Sequence, residues 1–177
     1  MTPDHGEKAL KLVLTVPGQH ERDRMNQRQI DVIKKDVLPG VAAADTEIGV
    51  IAPYRNQVYK LIEELNRPEI DISTVHKFQG REKDVIVLST VDDIVTPFSD
   101  DPNLLNVAVS RAKKELVVVA SEMEQPAGSN TGELIDYIRY HNCDVQYSAV
   151  SSVFDYLYKQ YRDCLLYTSD AADDTPC

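Results

Sequence analysis

With 177 residues, of which 42% are hydrophobic and 27% charged, the chain can build one globular domain with a sizeable core but not two large ones. No apolar run approaches the roughly 20 residues of a membrane-spanning helix, and the Met1–His5 start lacks a basic-then-apolar leader. A net charge of −10 argues against a bulk electrostatic grip on nucleic acid, though not against a local basic edge, and Cys143, Cys164 and Cys177 show neither metal-ligand spacing nor a disulfide framework, so no metal and a reducing cytoplasm are expected.

Strands and helices alternate along the chain. Leu10–Val16 reads as a strand stopped by Pro17-Gly18. Ile30, Ile33 and Val37 at helical spacing predict a helix over Asn26–Val37, ended by Pro39-Gly40. Glu47–Ala52 is a buried strand, and Pro53 opens a helix whose stripe is Val58, Leu61, Ile62 and Leu65. A short strand, Ile70–Val75, precedes the nearly continuous apolar run Asp84–Val91, the signature of a central parallel strand covered on both faces. A short helix over Asn103–Lys113 leads into a buried strand, Glu115–Ala120. Gln125–Thr131 reads as a loop, and Leu134, Ile135 and Ile138 mark a helix. Val145–Tyr147 is a candidate edge strand, before a last helix over Ser151–Arg162. This order predicts an α/β fold with a parallel sheet of βαβ units.

The stretch from Leu165 to Asp174 has no apolar period and follows abruptly on a helical pattern. It resembles a translated sequencing adapter, in which case the native domain is 1–163 and 164–177 is foreign; a genuine acidic tail is the alternative.

Two polar segments carry the chemistry. The first is Ser73-Thr74-Val75-His76-Lys77-Phe78-Gln79-Gly80-Arg81-Glu82-Lys83-Asp84, between two strands, with Lys77, Arg81 and Lys83 expected to form a local basic edge around Gly80. The second is Leu104-Leu105-Asn106-Val107-Ala108-Val109-Ser110-Arg111-Ala112-Lys113, where Leu105, Val107, Ala108 and Val109 are expected to anchor a helix that ends in Arg111. An arginine held rigidly there can donate a forked pair of hydrogen bonds to a phosphate. No Gly-x-x-x-x-Gly-Lys-Ser/Thr run is present, so the chain lacks its own phosphate-cradling loop. Without that loop, Asp92 and Asp93 read as two acids in a loop rather than a metal site.

Together the two segments resemble motifs V and VI of superfamily one helicases, in the Upf-type and RecD-like branch. The resemblance spans roughly Lys11–Ser121 and implies a RecA-like parallel sheet with helices on both faces, the P-loop NTPase fold without its Walker A loop. It implies the second motor domain of an ATP-dependent DNA or RNA helicase or translocase, moving 5′ to 3′ on a single strand. Such a domain is not expected to hydrolyse ATP alone. ATP with Mg²⁺ would be shared with a first RecA-like domain of the same polypeptide. The family pattern puts Arg111 and Gln79 in the catalytic set, with Arg111 as arginine finger. It turns Gly80 and Glu82 toward the nucleotide, and brings Thr74, His76 and Lys77 to the nucleic acid. Pro53-Tyr54-Arg55-Asn56-Gln57 resembles motif IV, with Arg55 a second phosphate sensor and Gln57 a polar contact at the cleft. Arg24-Met25-Asn26-Gln27-Arg28-Gln29 resembles the start of the domain's first helix, but Gln29-Ile30 stands where the family often has Glu-Ala, which leaves a phosphate-sensing role for Gln27 or Arg28 open. The residues also allow a stand-alone interaction module without ATPase activity, or a nucleotide-binding regulator using Asp92 and Asp93.

Overall fold

A computed structural model describes residues 9–20, 22–41, 45–78, 81–141 and 144–148. The expected Ser151–Arg162 helix, the tail, the three cysteines, Gln79 and Gly80 lie outside them.

Six strands form one parallel sheet in the order β5-β4-β6-β7-β1-β8. They are β1 (Ala9–Thr15), β4 (Ile48–Ala52), β5 (Asp71–Thr74), β6 (Lys83–Ser89), β7 (Ala112–Ser121) and β8 (Asp144–Tyr147), while β2 (Gln19–His20) and β3 (Met25–Asn26) make a small antiparallel ribbon. The expected edge strand at Val145 is therefore β8, paired on one side only.

Alternation of side chains along the central strands splits the core in two. Val50, Val87, Val117 and Val119 face one layer; Ile51, Ile86, Leu88, Leu116 and Val118 face the other. The first layer is closed by α1 (Gln27–Val32), α2 (Leu38–Val41) and α3 (Arg55–Leu65), the second by α4 (Pro102–Arg111) and α5 (Asn130–Tyr140). These are the two helical faces expected of a RecA-like sheet.

Three local expectations need correction. The first helix does not stop before Pro39-Gly40: a π-helical stretch, Ile33–Val37, links α1 to α2, which runs to Val41. Pro39 sits in the first turn of α2, where its missing N–H breaks no bond of that helix, and buried Leu38 ties the turn to the core. Ile62 is 50% exposed, outside the buried stripe of Val58, Leu61 and Leu65. In α4 the buried anchors are Leu104, Val107 and Ala108, whereas Val109 is exposed and Leu105 only partly covered.

The chain turns directly after β5, with the Lys77 and Phe78 N–H groups on the Thr74 carbonyl, and re-enters the sheet at its other end. Thr74 pairs with Ala52 at the C-terminal edge, whereas Lys83 pairs with Ala112 at the N-terminal edge. Between them Phe78 is fully buried against β4, in a place made by a missing side chain: a Cβ on Gly49 would come within 2.3 Å of Phe78 Cζ and 3.0 Å of Ile86 Cδ1. Gly49→Ala is expected to destabilise the domain by about 1–3 kcal/mol through overpacking, visible as a lower urea midpoint with an unchanged slope. Wild-type stability in that variant would mean that Phe78 is not seated on Gly49.

Candidate functional site: two edges of one sheet

The N-terminal edge carries the end of α4. Asp101 starts this helix, its carboxylate accepting the Asn103 N–H at 2.9 Å, and Pro102 follows where no N–H is needed. Ten residues on, the helix ends at Arg111, immediately before β7. Glu82 and Arg111 each directly precede one of the paired residues Lys83 and Ala112, which brings the two motifs to one edge. The Nε of Arg111 is buried without a hydrogen-bond partner. A buried cationic donor left unmatched is costly, and an anionic oxygen arriving at this edge would complete it. Arg81 lies at the same edge but is engaged, its guanidinium 2.6 Å from Asp71 at the start of β5.

The C-terminal edge of β4 and β5 holds an open pocket of about 700 Å³. Thr74, His76 and Lys77 line it together with Arg24, Arg55 and Asn56. His76, Lys77 and Arg55 are exposed, and Arg55 opens α3 directly after β4. Lys77 thus lines the pocket at the C-terminal edge, while Arg81 pairs with Asp71 and Lys83 with Ala112 at the N-terminal edge. The expected basic edge around Gly80 is corrected accordingly: the crossing segment divides its cations between the two ends of the sheet.

The other sequence candidates distribute unevenly. Gln57 does not open into a cleft. It is fully buried, its Oε1 accepting the Asn26 N–H at 2.9 Å and its Nε2 donating to Ser89 Oγ and the Asn26 carbonyl. Arg55 shares the pocket of Thr74 and lies at the opposite sheet edge from Arg111. Gln27 donates to Asp31 and Glu64. Arg28 is buried, which pushes its guanidinium below the ordinary value against the opposing pull of Asp31 and Asp93. Gln79 and Gly80 lie outside the described residues.

A buried polar network supports the pocket, and sequence reasoning missed it. Val91 has φ +64°, a rare conformation for a β-branched residue, within a three-residue turn closed by the Asp92 N–H on the Thr90 carbonyl at 2.7 Å. Gln29 and Asn26 hold this strained turn from both sides. The Val91 N–H donates to Gln29 Oε1 at 2.9 Å, and Asn26 Nδ2 donates to the Val91 carbonyl at 2.7 Å. Asn26 also caps α1 by accepting the Gln29 N–H. The two acids after the strand are part of the frame rather than a bland loop. Asp93 accepts the Gly18 and Gln19 N–H groups, and buried Asp92 accepts the Tyr54 hydroxyl at 2.7 Å and the Gln19 amide. Burial first, then the bond to Asp92, raises the Tyr54 phenol above its ordinary value, so the hydroxyl stays a donor at neutral pH. Among the described residues no group of three or more His, Cys, Asp or Glu could hold a metal ion.

A six-stranded parallel sheet with helices on both faces and a polar site at each strand end defines an α/β protein of the RecA-like fold class. The fold matches the C-terminal domain of a possible DNA helicase from a Lactobacillus strain, WCFS1, with a TM-score of 0.51 over 68% of this chain and 78% of that one; at 17% identity this likeness concerns the fold alone. The chain belongs to the AAA domain family over residues 15–123, and within it to the superfamily one helicases. It is 38% identical over 144 residues to DNA polymerase alpha-associated DNA helicase A of Saccharomyces cerevisiae, covering 76% of this chain and 21% of that protein. It is 34% identical over 123 residues to DNA-binding protein SMUBP-2 of Rattus norvegicus, covering 67% of this chain and 12% of that protein. A Regulator of nonsense transcripts 1 homolog of Arabidopsis thaliana is 31% identical over 126 residues, covering 64% of this chain and 10% of that protein. The chain thus spans about a fifth or less of the length of these relatives. No helix among the described residues is long and apolar enough to cross a membrane.

Proposed function

We propose that the chain is the second motor domain of an ATP-dependent helicase or translocase, working with a first RecA-like domain that carries the P-loop and Mg²⁺. The observation that carries this reading is Arg111: a buried, unpartnered guanidinium Nε at the end of a rigid helix, beside Glu82, on an edge with no phosphate loop of its own. In this reading Arg111 donates to the terminal phosphate of an ATP held mainly by the other domain, and Glu82 faces the nucleotide with Gly80. Bound ATP would supply the phosphoryl group whose transfer to water cycles the two domains together and apart. The arginine stabilises charge that develops in that transfer and reports to this domain that the nucleotide is present.

The opposite edge then carries the strand. Thr74, His76 and Lys77 contact the backbone of single-stranded DNA or RNA, and Arg55 is assigned to this group rather than to the nucleotide because it shares their pocket. The crossing segment, with Phe78 seated on Gly49, joins the two ends. A local cluster of cations suffices despite the net charge of −10. Lys77→Ala is expected to weaken oligonucleotide binding by a similar factor for all sequences and to lower the slope of log affinity against log salt by about one. Equal slopes for variant and wild type, read by fluorescence anisotropy across a salt series, would remove Lys77 from the strand path. The alternative, an interaction module without a motor, is tested by the Arg111 substitution argued below, to which such a module is indifferent.

A further inference from the structure

We infer that Phe98 is a base-stacking platform, the point at which this domain holds a nucleobase of the strand rather than its phosphates; the inference rests on the strand path proposed above. Phe98 lies in the long connection between β6 and α4, is 61% exposed, and lines the pocket that contains Thr74, His76 and Lys77. An exposed phenylalanine is ordinary on its own. This one is held in a built position.

Its ring stacks on Tyr54 with centroids 5.2 Å apart and planes 16° from parallel. Tyr54 is itself 6% exposed and fixed through its hydroxyl to buried Asp92 at 2.7 Å. The guanidinium of Arg24 lies 5.3 Å from the Tyr54 ring centroid, adding a cation to the same aromatic pair. The backbone under Phe98 is equally constrained. The turn that contains it is closed by the Asp100 N–H on the Thr96 carbonyl at 2.8 Å and by the Thr96 N–H on buried Ser99 Oγ at 3.0 Å. The Asp100 carboxylate then accepts the Asn130 and Thr131 N–H groups at 2.8 and 2.7 Å, bolting the turn to the start of α5.

One face of the Phe98 ring therefore rests on a buried, hydrogen-bonded tyrosine, while the ring borders a pocket lined by Arg24, Arg55, His76 and Lys77 against a single carboxylate, Asp101. An aromatic ring fixed among cations is complementary to a ligand that alternates flat apolar rings with negative charge, which is single-stranded nucleic acid. A peptide partner would satisfy the ring or the cations, but has no comparable repeat of both. Stacking accepts every base, so the platform adds affinity without sequence preference.

The chain contains no tryptophan, so Phe98→Trp places a single fluorescent reporter at the platform. Titration of that variant with a single-stranded oligonucleotide is expected to quench its emission, with affinity equal to or above that of the wild type. Phe98→Ala is expected to weaken binding about tenfold. With an abasic oligonucleotide of equal length, the alanine variant and the wild type are expected to bind alike. Unquenched tryptophan together with unchanged affinity of Phe98→Ala, while Lys77→Ala still weakens binding, would overturn the platform and leave the strand path standing. Failure of the wild-type chain to bind any oligonucleotide would overturn both.

Discussion

Arg111→Ala, in a protein where this chain is joined to a P-loop domain of the same family, is expected to lower the kcat of ATP hydrolysis by a factor on the order of 10³–10⁵, the range seen when an arginine finger is supplied or removed. The large effect follows from where the charge sits. In phosphoryl transfer the protein acts mainly by positioning and by stabilising developing charge, and a half-buried guanidinium whose buried Nε has no partner is already placed to do so. KM for ATP should move much less than kcat, because the contact strengthens in the transition state. Arg111→Lys keeps the charge but loses the planar fork and should recover only a small part of the rate. Oligonucleotide affinity without nucleotide should be unchanged, since the strand pocket lies at the other edge of the sheet. Wild-type turnover by a folded Arg111→Ala protein would sink the finger and favour the interaction module.

Gln29→Ala should be the most destabilising single change in the polar frame, lowering unfolding free energy by roughly 3–4 kcal/mol. Gln29 is fully buried and engages both ends of its amide. Its Oε1 accepts from Ser89 Oγ at 2.6 Å and from the Val91 N–H at 2.9 Å, and its Nε2 donates to Thr90 Oγ1 at 3.2 Å. Alanine leaves the strained Val91 turn without its clamp, strands two donors and opens a cavity. Gln29→Met separates these causes, because it fills the space but forms no such bonds, and most of the loss should persist. A methionine variant with near wild-type stability in urea would show that the cavity, not the hydrogen bonds, sets the cost. The neutral amide suits this place: a glutamate could accept both bonds but could not donate to Thr90 while ionised, and would bury a charge.

The sequence by itself determined the architecture. Strand runs such as Val85–Leu88 and Leu116–Ala120 are apolar on both faces, which only a covered parallel sheet accommodates, and the intervening helical stripes supply the cover. It also determined the family, because the strings around Gly80 and Arg111 are long and specific. Local punctuation was less legible. Pro39-Gly40 reads as a stop, yet the buried position of Leu38 carries the helix through it, since tertiary packing outweighs a local breaker.

What only the tertiary structure decided is which residues share an edge. Arg111 and Glu82 are separated by 28 intervening residues (83–110) but precede paired positions of neighbouring strands, whereas Lys77 and Arg81, four apart, serve different strand ends, Lys77 in the pocket at the C-terminal one and Arg81 on Asp71 at the N-terminal one. Spacing along a chain measures proximity only within one helix or strand; across a crossover it does not. The same reason hid the polar frame. Gln29, Gln57 and Asp92 look like solvated residues until the fold brings Ser89, Asn26 and Tyr54 against them, and Phe98 becomes more than an exposed ring only where it meets Tyr54.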